Sequence, residues 1–157
     1  MASDLPRNFG WIEHSKLAGS GRPEREAQLK ALKEEGIRAI VSLTATPLNP
    51  DIVRTLGFEY LHSHMSGEPT AEQFREILRF VERMNAQSKP VLVHCGEGIG
   101  RTGTVLAAYL IYHGDRTDEA IRKVRNKRPG SVQTLEQEKA LREFENFMKQ
   151  AQRQRSQ

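Results

Sequence analysis

One segment limits the possible folds of this 157-residue chain more than any other: Val91 to Gly114, VLVHCGEGIGRTGTVLAAYLIYHG. It joins an apolar run to a second apolar run through a glycine-rich turn. VLVH is continuous in the manner of a strand buried on both faces of a parallel sheet, and TVLAAYLIY reads as a helix apolar nearly all round. A buried strand feeding a buried helix is the core unit of an α/β layered domain. The ligand of such a domain sits at the carboxyl ends of the strands, where Cys95 falls.

The flanking sequence fits this frame. Pro23 followed by Glu24, Arg25 and Glu26 predicts a helix start, with Leu29 and Leu32 on one face and Gly36 as the stop. IRAIVSL reads as a buried strand, TATPLNPD as loop, Asp51–Leu56 as a short helix and FEYLH as a second strand. Thr70 and Gln73 form a capping box for a long amphipathic helix carrying Phe74, Ile77, Leu78 and Val81. Two further helices follow, capped by Thr117 and Thr134, with RPGSVQ between them. The expected fold is α/β, with a mainly parallel sheet of about four strands flanked by helices. A chain that is 37% hydrophobic and 28% charged suits one domain over residues 1–150, followed by a frayed, polar and basic tail over 151–157.

Composition excludes several classes. One cysteine can form neither an internal disulfide nor a multi-thiolate metal site, so Cys95 is either inert core or a reactive thiol. No stretch is long and apolar enough to span a bilayer, and the start, MASDLPRN, lacks the layout of a secretory signal; a cytoplasmic protein is expected. Lys149, Arg153 and Arg155 supply three of the four net positive charges, which argues against a nucleic-acid partner. A denser run, Arg122, Lys123, Arg125, Lys127 and Arg128, is either a solvated helix face or the rim of a site for anions.

The turn itself has two readings. Gly98-x-Gly100-x-x-Gly103 matches a dinucleotide fingerprint, but that fingerprint needs a second strand ending in an acidic residue about 20 residues on. After Gly103 the chain reads helix, turn, helix. The alternative uses every unusual residue: a turn that wraps backbone N–H groups around a point and runs into a helix N-terminus makes a concave anion site. Glycines 96, 98 and 100 let the backbone curl. The positive environment favours the thiolate of Cys95 as nucleophile, and the planar fork of Arg101 can grip two phosphate oxygens.

HCGEGIGRTG resembles the signature loop of the cysteine-dependent protein tyrosine phosphatases. NFGWI…LAG near the start and RPGSVQTLEQE near the end resemble the small atypical dual-specificity phosphatases and their archaeal relatives. The resemblance covers nearly the whole chain. It implies that Cys95 forms a phosphocysteine intermediate and that Gly96, Glu97, Gly98, Ile99, Gly100 and Arg101 bind the phosphate or a similar oxyanion. Thr102 would assist thiolate departure, and His94 would orient the loop and tune the thiol. Gln133 and Gln137 stand where tyrosine-specific members position the hydrolytic water, although Thr134-x-x-Gln137 is also a capping box. Glu97, at the rim, argues against very acidic substrates such as polyphosphorylated inositols.

The pattern breaks at the general acid. Family members supply an aspartate after the second of these strands; here LHSHMSGEPTAEQ holds none, and Glu68 is the one carboxylate before the helix. It is either the acid or a solvated loop charge, and His64 is a further possible donor. A phenolate leaves unaided far more readily than a serine alkoxide, so a weak acid implies a tyrosine bias. The expected function is hydrolysis of phosphotyrosine in a phosphorylated protein substrate, with phosphoserine and phosphothreonine as further substrates and without metal or cofactor. One rival is a phosphatase of RNA 5′-triphosphate or lipid phosphate; the other is a non-catalytic phosphoprotein-binding module.

Overall fold

Val91–His94 lies at the centre of one five-stranded sheet in the computed structural model, which describes residues 4–155. The strands are β1 (Gly10–Glu13), β2 (Leu17–Ser20), β3 (Ala39–Ser42), β4 (Glu59–His62) and β5 (Val91–His94), in the spatial order β1-β2-β5-β3-β4. Only β1 and β2 pair antiparallel; β2, β5, β3 and β4 are mutually parallel. The helices are α1 (Glu26–Glu34), α2 (Pro50–Thr55), α3 (Ala71–Ala86), α4 (Gly100–Tyr112), α5 (Thr117–Lys127) and α6 (Leu135–Arg155).

Alternation along the strands divides the core in two. Leu92 and Ile40 face α1 and α2, with Leu29, Leu32 and Val53. Val91, Val93, Ala39 and Val41 face α3 to α6, with Phe74, Val105, Ile121 and Phe144. Val91, Leu92 and Val93 are all fully buried, each worth about 1.5–3 kcal/mol of apolar transfer. β5 is thereby clamped from both faces, and the chain leaves its carboxyl end at Cys95.

The sheet has one strand more than expected, because a hairpin of two four-residue strands precedes α1. LAGS carries little strand signal, yet it is buried throughout. A Cβ on Gly19 would sit 2.6 Å from Thr102 Cγ2, so the small residues let α4 press against β2. Helix α1 starts at Glu26 rather than Pro23, because the Gln28 side chain accepts from the N–H groups of Glu24 and Arg25 and closes the turn there. The Thr70 hydroxyl accepts from Gln73 N–H at 3.1 Å, but the Gln73 amide turns away to Ser63 and His64 and pins the loop before α3. Residues 151–155 continue α6, so the basic C-terminal stretch is helical rather than frayed, while 156 and 157 lie outside the described residues.

Thr117 is the first residue of α5 rather than its cap, and its bonds run to α6. Its hydroxyl and N–H both donate to Glu145 Oε1, at 2.7 and 2.8 Å. The Lys149 ammonium, 2.7 Å from the same carboxylate, and the two Thr117 bonds hold Glu145 down at about 2. A depressed carboxylate stabilises the fold above its unfolded value and loses that contribution as pH falls toward about 2. Glu145→Gln is expected to lower the melting temperature by about 2–6 °C at pH 7. That gap should narrow between pH 5 and pH 2; thermal denaturation of both proteins across this range checks it.

Candidate active site

The loop after β5 is built by turning its carbonyls outward. Each oxygen from Cys95 to Gly98 accepts from a different part of the chain: Cys95 O from the ring of His94 at 3.2 Å, Gly96 O from Arg22 N–H at 2.9 Å, Glu97 O from Asn8 Nδ2 at 2.8 Å, and Gly98 O from Arg128 Nη2. The N–H groups face the other way. Gly98 N–H donates to Cys95 Sγ at 3.2 Å, and among the described residues no acceptor takes the N–H groups of Gly96, Glu97, Ile99 or Gly100. Those donors, at the N-terminus of α4, form a ring suited to the oxygens of a bound anion.

Cys95 lies at the floor of this ring, 3% exposed. Its sulfur also accepts from the Thr102 hydroxyl at 3.0 Å. Arg101 Nη1 makes two long bonds, 3.4 and 3.5 Å, to the carbonyls of Leu43 and Met65, and Nη2 lies 3.8 Å from where a Cβ on Gly96 would be. The guanidinium therefore lies over the loop with donors to spare. His94 is neutral at physiological pH: burial chiefly, with the charges of Arg22 and Arg101, lowers it to about 4. Its contacts are hydrogen bonds, to the Cys95 carbonyl and to Ser42 Oγ.

The glycines divide by role. Gly98 has φ +83°, and a Cβ there would fall 2.2 Å from Gly21 N, so position 98 admits nothing larger. At Gly100 a Cβ would meet the Gln133 amide at 2.4 Å, and at Gly103 the Ser131 side chain at 2.4 Å; these two let RPGSVQ close over α4. Gly96 needs no such allowance, since its φ is not positive and a Cβ would meet only Arg101 Nη2, in ordinary contact. The expectation that all three loop glycines serve the curl thus holds at position 98 and is corrected at 96 and at 100, where φ is not positive and the glycine makes room for Gln133.

An open cleft of about 490 Å³ sits over Cys95. The loop from Cys95 to Arg101 forms its base, His64, Ser66 and Gly67 one wall, and Gln133 and Gln137 the other. Glu68 is exposed and does not line this cleft; its N–H donates to Ser66 Oγ at 3.3 Å. Gln133 lines the cleft with its side chain exposed, whereas Gln137 Oε1 accepts from the N–H groups of Gln133 and Thr134, closing the capping box. Glu97 sits on the rim, paired with Arg7 at 3.2 Å.

Of the two readings of the basic run, the solvated face holds for Arg122, Lys123, Arg125 and Lys127, which are exposed, and none of the five residues lines the cleft. Arg125 holds the carbonyls of Ser131 and Val132, Lys127 reaches Ile12 O, Lys123 pairs with Asp115, and Arg128 packs beneath the loop. Burial lowers the Arg128 guanidinium, and the nearby Cys95 opposes that shift. Sequence reasoning missed Arg7, Asn8, Arg22 and Arg128 as supports of the loop. Arg128 carried a signal as part of the run and Asn8 as the first residue of NFGWI; Arg7 and Arg22 carried none, and reach the loop across the fold.

Comparison with known proteins agrees with this geometry. A buried thiol in a backbone nest beside an arginine suits a phosphate-handling site, and residues 6–141 match the family described as Swiss Army Knife protein, DSP-PTPase phosphatase domain. A Bos taurus protein named protein tyrosine phosphatase domain-containing protein 1 is 46% identical over 162 residues, covering 88% of this chain and 20% of that protein. An Arabidopsis thaliana phosphatidylglycerophosphate phosphatase, PTPMT1, is 29% identical over 153 residues, covering 92% of this chain and 45% of its own length. The crystal structure of Tk-PTP in its active form superposes with a TM-score of 0.81 at 37% identity, covering 88% of this chain and 96% of that one. The chain belongs to the DSP-PTPase phosphatase domain family. It spans about a fifth or less of the length of four curated relatives, the bovine protein included.

The glycine assignments are directly testable. Gly98→Ala is expected to cut kcat/KM on an aryl phosphate by about 100-fold or more and to cost about 2 kcal/mol of stability, because neither φ nor space permits a Cβ. Gly96→Ala should stay within about 3-fold of the parent. Steady-state kinetics with chemical denaturation of both variants checks this.

Proposed function

We propose that this chain is a hydrolase of phosphate monoesters that prefers phosphotyrosine in proteins and acts through a phosphocysteine intermediate in the cytoplasm. The observation that carries this reading is the ring of inward N–H groups around Cys95 Sγ. Sγ attacks phosphorus as the ester P–O bond breaks, and the leaving oxygen departs with the bonding pair. The loop N–H groups and Arg101 hold the equatorial oxygens, whose charge rises in the transition state. Water then cleaves the S–P bond to give inorganic phosphate. The Thr102 hydroxyl, donating to Sγ, stabilises the departing thiolate, and Gln133 in the cleft wall positions that water.

Preference for an aryl ester follows from the cleft. No aspartate lines it, Glu68 lies outside it, and Glu97 is paired with Arg7 at the rim. From the 63–70 segment the cleft is lined by His64, Met65, Ser66 and Gly67. A phenol of pKa about 10 departs with little proton assistance, whereas a serine alkoxide needs it. The lipid alternative has one observation in its favour, the likeness to the Arabidopsis phosphatidylglycerophosphate phosphatase along most of the chain. The RNA alternative loses support, because no residue of the basic run from Arg122 to Arg128 borders the cleft over Cys95.

Kinetics on matched phosphotyrosine and phosphoserine peptides and on a short-chain phosphatidylglycerophosphate tests the reading. We expect kcat/KM for phosphotyrosine to exceed phosphoserine by about 100-fold or more, and Cys95→Ser to abolish turnover while retaining vanadate binding. Faster turnover of the lipid, or hydrolysis by Cys95→Ser, contradicts it. Glu68→Gln should leave the dependence of rate on leaving-group pKa unchanged across aryl phosphates; a steeper slope would return Glu68 to the mechanism.

A further inference from the structure

His94 is fully buried and both its ring nitrogens are bonded. The Cys95 carbonyl, 3.2 Å from Nδ1, can only accept, so Nδ1 carries the ring proton and Nε2 is an acceptor. Ser42 Oγ lies 2.5 Å from Nε2 and must donate to it. That hydroxyl in turn accepts from the Tyr60 hydroxyl at 2.7 Å, and the Tyr60 oxygen accepts from Leu48 N–H at 2.9 Å. Every proton in the series is assigned, and all point one way, from the loop before α2 to the carbonyl of Cys95. Neither Ser42 nor Tyr60 belongs to the signature loop, and neither lines the cleft.

We propose that Ser42 and Tyr60 are positioning residues for the nucleophile, which fix the tautomer of His94 and so keep the Cys95 carbonyl turned away from the anion ring. Without the Ser42 hydroxyl, Nε2 is a buried acceptor with no donor. Moving the ring proton to Nε2 then turns the Nδ1 lone pair on the Cys95 oxygen. The peptide between Cys95 and Gly96 loses its anchor. Rotation of that peptide brings the negative end of a carbonyl dipole toward Sγ and takes the Gly96 N–H out of the ring, and both changes disfavour the thiolate. The other charges are common to all variants: Arg22, Arg101 and His62 act on His94, and Arg128 acts on Cys95.

A second set of contacts runs between the same two loops. Arg22 donates its N–H to Gly96 O, while its guanidinium binds Thr44 Oγ1, Thr46 O and Pro47 O. The loop over 44–48 is therefore held to the catalytic loop twice, through Arg22 and through Leu48, Tyr60, Ser42 and His94.

The proposal rests on Cys95 as the proposed nucleophile, and its test needs no phosphate ester. The measurement is the rate of Cys95 alkylation by iodoacetate against pH, in the parent, Ser42→Ala and Tyr60→Phe, read alongside kcat and KM. For Ser42→Ala we expect the pH of half-maximal alkylation to rise by about half a unit or more, and kcat to fall about 10-fold or more with KM within about 2-fold. Tyr60→Phe should shift the same way by less. A Ser42→Ala profile superimposable on the parent's overturns the proposal even if activity falls, because a merely structural hydroxyl lowers activity without moving thiol ionisation. An unshifted Tyr60→Phe removes Tyr60. If Ser42→Ala does not fold, Tyr60→Phe, which keeps the ring, decides alone. Should the parent fail to hydrolyse phosphotyrosine, the alkylation profiles still separate that failure from this one.

Discussion

Backbone carbonyls compete with anions for the same space, and the site depends on keeping four of them out of it. From Cys95 to Gly98 each oxygen is drawn outward by its own donor, from the neighbouring His94 or from elsewhere in the fold, and the N–H groups are left on the inner side. Rotating any one of these peptides would replace a donor by an oxygen in the ring. In a low-dielectric cradle such an exchange costs far more than a lost surface hydrogen bond.

Much of the fold serves that constraint. The hairpin of β1 and β2 brings the segment before it over the loop, so that Asn8 reaches Glu97 O and Arg7 O accepts from Gly21 N–H at 2.8 Å. Ser20 and Gly21 pack against Gly98 so closely that a Cβ would overlap their backbone. The turn after α5 delivers Arg128 to the underside, where its Nε is buried without a partner among the described residues. A buried guanidinium with one idle donor is costly. Its position near Cys95, on a carbonyl of the ring, is consistent with the charge being kept there for the loop and its anion.

The core unit was legible in the sequence because its signals are local: a two-faced strand, glycines in a turn and a helix apolar all round follow one another within 24 residues. That Cys95, Arg101 and Thr102 come together at one turn was legible for the same reason. What could not be read depends on contacts between distant residues. LAGS gave little strand signal because Ala18, Gly19 and Ser20 are small, and at position 19 Thr102 and Leu106 leave no room for a side chain. Gln73 announced a reciprocal cap, yet its amide found Ser63 and His64 closer to its needs. Glu68 stood out as the lone carboxylate of its segment, but Ser66 and His64, two and four residues earlier, take the cleft wall. Ser42 and Tyr60 read as ordinary strand residues; only the parallel register that sets Ser42 beside His94 gives them a role.

The central claim is that the loop makes Cys95 a nucleophile toward phosphorus. Rapid mixing of the wild-type chain with an aryl phosphate, quenching in denaturant within the first turnover, and mass spectrometry of the peptide containing residue 95 tests it most directly. The account predicts one phosphoryl group on Cys95 that appears before the first turnover is complete and decays as inorganic phosphate is released. Turnover with no phosphoryl group on Cys95 at any time, or with the group on another residue, contradicts it.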